Sequence, residues 1–241
     1  SVIGKILKRG VLIYIVGQLI SYYPFYNIYD IAPEQIGVGR LCSILQIVGI
    51  ALTVGALVWF SNRKKAEAPD PDAKRHKAVA WTTLIVGLVL MLLPFPMLLG
   101  TPFKSFAHFR ILGVFPRIAI AFSLGALLAM WLKTYKRCII GLLVILVGYW
   151  AVTAGFGDFT MEGYVGRAID LAILGDAHMY HGEGIAFDPE GLLSTIPAIG
   201  TVLVGYMAGR LMGEGSDDIR RRILLLAAVG GLMVTLGLIL N

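Results

Sequence analysis

Long apolar blocks separated by short polar segments make up most of this 241-residue chain. Seven blocks approach or reach the roughly 20 residues that a helix needs to cross about 30 Å of hydrocarbon, where the backbone must satisfy its own hydrogen bonds. We therefore expect an all-α integral membrane protein, a single transmembrane domain over residues 1–241 with about seven spans. The predicted spans cover approximately 8–25, 40–60, 78–99, 113–132, 138–156, 191–211 and 222–240.

Basic residues gather in alternate connections between these blocks. If all seven blocks cross the membrane, these connections share one side, and the positive-inside rule makes that side the cytoplasm, with the N-terminus on it. Segment 62–77 is then a solvated cytoplasmic linker between the second and third spans. The basic residues of these connections are Lys5, Lys8, Arg9, Arg63, Lys64, Lys65, Lys74, Arg75, Lys77, Lys133, Lys136, Arg137, Arg210, Arg220, Arg221 and Arg222.

Composition agrees with a membrane protein. Hydrophobic residues account for 57% of the chain, charged residues for only 15%, and the mean hydropathy is +0.79, which is far from the balance of a soluble domain. The net charge of +6 comes from short loops beside apolar blocks, so it indicates topology, and we expect no nucleic-acid partner. The lipid bilayer is the expected partner, and a homodimer is left open.

The ends of the chain and its lack of an N-glycosylation sequon indicate what kind of protein it comes from and where it is located. The chain begins at Ser1 without a methionine and ends directly after an apolar block, so we expect it to be part of a longer protein. It contains no N-x-S/T sequon, which favours a bacterial inner membrane over a glycosylated lysosomal protein.

The two cysteines, Cys42 and Cys138, fall near opposite faces of the predicted topology, and we expect no disulfide between them.

A repeat is visible when the chain is shifted by seventy residues against itself. The first four spans therefore resemble two copies of one helical hairpin in the same orientation, and 26–100 is interpreted as an extra, duplicated hairpin. Chance matching between apolar helices is the alternative. The matches are Ile15, Val16 and Gly17 with Ile85, Val86 and Gly87; Pro24 and Phe25 with Pro94 and Phe95; Arg40 with Arg110; Ala51 with Ala121; and Gly55, Ala56 and Leu57 with Gly125, Ala126 and Leu127.

One long polar segment, 157–190, follows the fifth span and lies on the outer face in this topology. It carries seven of the fifteen acidic residues of the chain and two of its four histidines. Within it, VGRAIDLAIL has apolar residues at a spacing of three and four, which predicts a short amphipathic helix, lying on the membrane or folded over the bundle and ended by Gly175. We expect any chemistry of this chain to involve this segment.

The histidine turn after that helix holds Asp176, His178 and His181 within six residues. A neutral histidine can accept a proton from an amine or hydroxyl nucleophile while a neighbouring carboxylate orients its ring. His178 is the better base candidate because Ala177 and Met179 flank it, and Asp176 is the candidate carboxylate. A metal site is the alternative, but no ligand pattern supports it, and we expect none.

Four further polar residues are candidates for a binding site. Arg117 lies inside an apolar block, where a guanidinium is costly unless it faces a polar cavity or reaches the interface. Pro116 beside it is expected to free the carbonyl of Leu112. Arg110 precedes the same block and is easier to explain as an interface anchor. Asp188 and Glu190 flank Pro189, so they are expected to cap the next helix, to line the mouth of a cavity, or both.

Two ordered motifs resemble the heparan-α-glucosaminide N-acetyltransferase family and its bacterial homologues. The family pattern ID-x-x-x-L-x-x-x-HLY, YDPEG and G-x-x-AG is represented here in RAIDLAILGDAHMYHGEGIAFDPEGLLSTIPAIGTVLVGYMAG. The family element RIxGVLQRIA is represented by RILGVFPRIA at 110–119, where Pro116 stands in place of the usual glutamine. KILKRGVLIYIVG, from Lys5, resembles the preceding family helix, so the resemblance covers roughly 104–240 and the first span.

The resemblance implies a multi-pass enzyme that moves an acetyl group from cytosolic acetyl-CoA to the amine of a terminal glucosamine on the far side of the membrane. It implies acetyl-CoA as a co-substrate, and the residues that match the family motifs by position are Arg110, Arg117, Asp170, His178, Asp188 and Glu190. Together with the histidine turn, this leads us to expect His178 and Asp176 as catalytic residues. We expect Asp188, Glu190, Asp170 and His181 on the amino-sugar or glycan acceptor, and Arg117 and Arg110 on the acetyl-CoA.

The sequence also departs from the family pattern. The family's own catalytic histidine lies in an N-terminal segment, ahead of a DLVFP-type helix, that does not occur in this sequence. Activity of this chain alone is therefore left open. A sugar transporter, or a non-catalytic membrane protein of the same fold, is the alternative function.

Overall fold

The computed structural model describes residues 1–23, 25–26, 31–63, 72–213 and 219–240. The described part of the chain is mostly helical, and its only extended pairing is an isolated bridge between Tyr26 and Phe103. The α-helices are α1 Val2–Tyr22, α2 Ile36–Arg63, α3 Ala73–Leu92, α4 Pro94–Leu99, α5 Val114–Leu132, α6 Tyr135–Phe156, α7 Val165–Ile173, α8 Leu192–Gly213 and α9 Ile219–Leu240.

Six of these helices are long and apolar enough to cross a membrane: α2, α3, α5, α6, α8 and α9. Their outward side chains are largely apolar, with Val144 and Leu238, for example, 67% and 76% exposed. This is the surface of a multi-pass membrane protein. The predicted first span, 8–25, overlaps α1, which differs from the six because Lys5, Lys8 and Arg9 lie in its first half.

The third predicted span, 78–99, is interrupted. α3 ends at Leu92, and the short α4 begins at Pro94 and ends before Gly100, whose φ of 62° is left-handed. Proline has no N–H to donate and fits the first turn of a helix, which explains why a new helix begins there. Much of the predicted linker 62–77, and Pro24 of the repeat, lie outside the described residues, but α3 already includes residues 73–77.

The chain divides into two compact units, Ser1–Ser21 with Ala107–Asn241, and Tyr22–Phe106. The second unit has nearly the bounds of the segment interpreted as an extra hairpin. In it α2 packs on α3 at Gly49 and Gly87, where a Cβ on Gly49 would lie 2.5 Å from the Met91 nitrogen. The glycines permit this close approach of two backbones.

In the first unit, α1 packs on the start of α5. A Cβ on Gly17 would lie 2.3 Å from the Phe115 Cβ. The helices are thus grouped differently from the two predicted hairpins, since α1 belongs with α5 and α2 belongs with α3. The duplication itself stays a prediction.

The core of the first unit is α8, which packs on α5, α6 and α7. Small residues make this packing close: a Cβ on Gly125 would lie 2.7 Å from the Val202 side chain, and one on Gly200 would lie 2.8 Å from Leu142. Leu203, which follows Val202 in α8, is fully buried. Both cysteines are free and buried.

The predicted amphipathic helix is confirmed as α7, and Gly175 follows it with a φ of 81°. Its buried residues are Gly166 and Asp170, whereas Ile173 is 66% exposed. The polar side of α7 therefore packs on α8, and its apolar side faces outward, as suits a helix at a membrane interface.

Candidate functional site

A three-residue segment before α5, residues 109–111, joins the parts of the site, and we call it the strap. The strap accepts two hydrogen bonds from α1 at the Ile111 carbonyl, from the Tyr14 hydroxyl at 3.3 Å and from Gln18 Nε2 at 2.5 Å. The Ile111 N–H in turn donates to the His178 carbonyl at 3.2 Å. Polar groups of α1 and of the outer segment are therefore fixed to the same short stretch of backbone.

His178 is held by the strap through its ring as well as its backbone. It ends a 3-10 turn, Asp176–His178, and its Nδ1 lies 2.7 Å from the Phe109 carbonyl oxygen. Because a carbonyl only accepts, this contact assigns the proton of the neutral ring to Nδ1 and leaves Nε2 as the acceptor. The half-buried ring is thereby fixed in orientation and tautomer, as a general base requires.

The expectation that Asp176 orients His178 is wrong in its geometry. The Asp176 carboxylate contacts His181 instead, with Oδ2 3.2 Å from Nε2, and the Phe109 carbonyl takes the orienting position at His178. The side chains of His181 and Asp176 are 49% and 71% exposed, so this pair is a weak surface interaction. Asp176 and His181 therefore lie beside the site, on its solvent side.

Arg110, the central residue of the strap, binds both carboxylates of the FDPEG motif. Its Nε and Nη2 donate to Asp188 Oδ2 and Oδ1 at 3.0 and 2.8 Å, and Nη2 also donates to Glu190 Oε2 at 2.5 Å. Burial alone would lower the pKa of this guanidinium, but the hydrogen bonds and charges of Asp188 and Glu190 outweigh burial and raise the pKa. The guanidinium also lies 4.8 Å from the centre of the Tyr180 ring.

The two acidic residues have different surroundings. The Asp188 side chain is fully buried, and its Oδ1 also accepts the Glu190 N–H at 3.0 Å, so both of its oxygens are occupied. Glu190 is 19% exposed and borders a groove between α5 and α8. Asp188 therefore positions Arg110, and Glu190 is the carboxylate that a ligand can reach.

The cap of α8 comes from Asp170 and not from Asp188, which corrects the capping expectation. Asp170, on α7, is 1% exposed, and its Oδ1 accepts the Leu192 N–H at 2.9 Å at the first residue of α8. A Cβ on Gly191 would lie 1.9 Å from Asp170 Oδ2, so glycine is needed beside this carboxylate. The carboxylate satisfies a free N–H at the helix start, where negative charge is favourable.

Burial raises the pKa of Asp170, and this outweighs the lowering by the Leu192 N–H, while the charge of Asp188 raises it further. Asp170 therefore resists ionisation in the folded protein. With so little exposure, it joins α7 to α8 and does not face a sugar.

Arg117 lies in the first turn of α5 and donates from Nη2 to the Ser194 carbonyl of α8 at 3.1 Å. It lines a cavity of about 430 Å³ between the two helices. Pro116 was expected to free the carbonyl of Leu112, and this is wrong because α5 begins only at Val114. Pro116 then lies in the first turn of the helix, where a backbone N–H has no intrahelical partner in any case.

The sequence analysis did not predict the roles of Tyr149, Tyr164, Gln18 or the Phe109 carbonyl. The Tyr149 and Tyr164 hydroxyls lie 3.2 Å apart beside α7, and burial, followed by the bond to Tyr149, raises the pKa of Tyr164. Gln18 was detectable, since a polar side chain inside an apolar block is a signal of a specific contact. The Phe109 carbonyl was not, because a backbone atom leaves no mark on the residue pattern.

The arrangement provides a proton acceptor, His178, fixed by the strap, and a reachable carboxylate and a guanidinium, Glu190 and Arg117, that line the groove. Within the described residues there is no group of three or more acidic, histidine or cysteine side chains that could hold a metal ion. Neither the protein-family models nor the curated proteins compared with this chain give a match.

Proposed function

We propose that this protein is a transmembrane acetyltransferase that moves an acetyl group from acetyl-CoA to the amine of a glucosamine or glucosaminide on the non-cytoplasmic side. The observation that carries the proposal is the meeting of the two resembling motifs. Arg110, from RILGVFPRIA, binds Asp188 and Glu190 of FDPEG, and the strap that contains Arg110 also holds His178. Residues that lie 69 to 80 positions apart in the sequence thus form one polar site.

The proposed reaction needs an amine that has lost a proton. His178 Nε2 takes a proton from the amine as the amine nitrogen attacks the thioester carbonyl. The new C–N bond forms, the C–S bond breaks, and the proton passes to the departing CoA thiolate to give the free thiol. Glu190 accepts hydrogen bonds from the sugar, while Asp188 and Asp170 hold Arg110 and α8 in position.

We further propose that α1 is a seventh span and that the N-terminus is cytoplasmic, in a bacterial inner membrane. The apolar part of α1 after Arg9 continues to Tyr22, and its basic residues suit a cytoplasmic interface. With seven spans, the segment that contains His178 and Glu190 faces the opposite side from the basic connections.

The direct test uses membranes that contain the full protein, labelled acetyl-CoA and glucosamine. We expect label at the sugar amine, above the level in membranes without the protein. Label that stays at this background while the protein is present and folded would contradict the proposal. Uptake of labelled glucosamine without acetyl-CoA would instead support the transporter alternative.

A further inference from the structure

The groove between α5 and α8 combines an apolar wall with two charged residues at one end. Its apolar lining comes from Val114, Ile118, Ala121, Phe122, Ala198 and Val202, and its charged lining from Arg117 and Glu190. Arg117 is in the first turn of α5, and Glu190 precedes α8, so both charges lie at the same, outer end of the two helices. The groove thus has the polarity of an amphiphile whose head lies at the membrane surface.

The guanidinium at this end has unused hydrogen-bonding capacity. Arg117 has five N–H donors, of which Nη2 donates to the Ser194 carbonyl, and it makes no ion pair with a described carboxylate. An uncompensated guanidinium at the end of a membrane helix is costly unless an anion or water meets it. A phosphate is the anion that guanidinium groups bind well, through paired hydrogen bonds.

Glu190 supplies the opposite charge. Its Oε2 accepts from Arg110, whereas Oε1 receives no bond from a described residue, and the side chain remains 19% exposed. Together with Asp188 it shares the single guanidinium of Arg110. The free Oε1 can therefore accept a hydrogen bond from an amine.

The size of the groove suits one hydrocarbon chain. Its volume is about 430 Å³, and it extends from the Arg117 level to Thr201 and Val202. With a helix rise of about 1.5 Å per residue, the part of α8 from its start to Val202 covers roughly 15 Å. The apolar lining lies at the depth of lipid chains, so a chain can enter it from the bilayer.

From these observations we infer that the α5–α8 groove binds a phosphate-bearing lipid, with the phosphate on Arg117, an amine-bearing head near Glu190 and one alkyl chain along the apolar wall. The acceptor class would then be an amino sugar joined through a phosphate to a lipid chain. The identity of the head as the acetyl acceptor rests on the proposed function, whereas the groove and its phosphate contact do not.

Binding is measured on the purified full protein, without any assay of transfer, by thermal unfolding. Decyl phosphate is the probe, and decanol and inorganic phosphate separate the contributions of the chain and of the free anion. We expect decyl phosphate to raise the Tm in a concentration-dependent way and both controls to raise it far less. An equal rise with decanol, or with inorganic phosphate, would overturn the inference.

Two variants locate the site. Arg117→Gln removes the cation and Thr201→Phe fills the groove, so each should at least halve the rise in Tm given by decyl phosphate. Thr235→Phe is the matched control on α9, where Thr235 is exposed and does not line the groove, and it should keep the full rise. An undiminished rise in both groove variants would contradict the site.

A second measurement links the groove to the acceptor. We expect the KM for glucosamine carried on decyl phosphate to be about tenfold lower than for free glucosamine. Thr201→Phe should remove that difference, and Thr235→Phe should keep it. Equal KM values with active enzyme would reject the lipid acceptor and leave the transferase intact. Decyl phosphate binding that needs Arg117, with neither acceptor acetylated, would reject the transferase and leave the groove.

Discussion

Arg110 holds the buried Asp188 carboxylate with two hydrogen bonds, Nε to Oδ2 at 3.0 Å and Nη2 to Oδ1 at 2.8 Å. The Asp188 side chain has no exposed surface. Among the described residues, Arg110 is the only cation that forms an ion pair with it. The contact joins the strap before α5 to the loop before α8. The ion pair therefore fixes the carboxylate side of the candidate site, while the hydrogen bonds of Phe109 and Ile111 fix the His178 side.

Arg110→Ala should destabilise the protein by about 3 kcal/mol, because it leaves Asp188 charged, buried and without its cation. Thermal or denaturant unfolding in detergent measures the loss. The double variant Arg110→Ala with Asp188→Asn should recover part of it, since the uncompensated charge is then absent. Arg40→Ala, at the position that matches Arg110 in the sequence repeat, is the control and is exposed. Equal losses for Arg110→Ala and Arg40→Ala would show that the ion pair contributes little.

Asp170 gives a pH dependence of stability. Its pKa is raised in the folded protein, chiefly by burial, so the folded state holds this proton more tightly than the unfolded chain does. The stability that this contributes is fully present below the pKa of the unfolded state and is lost as the pH rises through the raised pKa of the folded state. Asp170→Asn keeps an acceptor for the Leu192 N–H but cannot ionise. We expect the Tm of Asp170→Asn relative to wild type to increase as the pH rises through this window, and a constant difference would contradict the assignment.

Gly191→Ala tests the close contact beside Asp170. The new Cβ would lie 1.9 Å from Asp170 Oδ2, so the carboxylate must move, and its Oδ1 then loses the hydrogen bond from the Leu192 N–H. We expect a loss of about 1 to 2 kcal/mol, the size of a lost helix cap. Gly205→Ala, in the same α8, is the control, because nothing lies within 4 Å of its added Cβ. The account fails here if both variants have the same unfolding midpoint.

The proposed orientation is tested with single cysteines at exposed positions. Cys42 and Cys138 are buried, so labelling by a membrane-impermeant maleimide should report the introduced thiol. Glu162→Cys, in the segment between α6 and α7, should be labelled on intact cells. Lys136→Cys, at the start of α6, should be labelled only after permeabilisation. The reverse pattern would invert the topology, and labelling of both on intact cells would contradict an odd number of crossings between them.

The sequence predicted the features that repeat along the chain. The hydropathy of a long block and the charge of a loop both depend on many residues together, so the long apolar helices were found from the sequence. The helical spacing of Ile169 and Ile173 was enough to find α7. The break at Leu93 was missed although Pro94 marks it, because the apolar pattern continues through it.

Contacts between distant parts of the chain were harder to predict. Asp188 beside Pro189 has the pattern of a local helix cap. The cap is nevertheless provided by Asp170, 22 residues before Leu192, because α7 packs on the start of α8. Similarly, the nearest carboxylate in sequence, Asp176, does not orient His178, since the Phe109 carbonyl is closer in space. The motif residues were the right ones to examine, but their partners depended on tertiary packing.

The rate of acetyl transfer by His178→Ala is the direct test of His178 as the proton acceptor. The ring is fixed through Nδ1 and its Nε2 is the proposed proton acceptor, so its removal should lower transfer from acetyl-CoA to glucosamine at least about tenfold. His181→Ala, at the exposed neighbouring histidine, should lower it much less, with both variants at wild-type levels in the membrane. Transfer by His178→Ala that equals wild type would contradict the account.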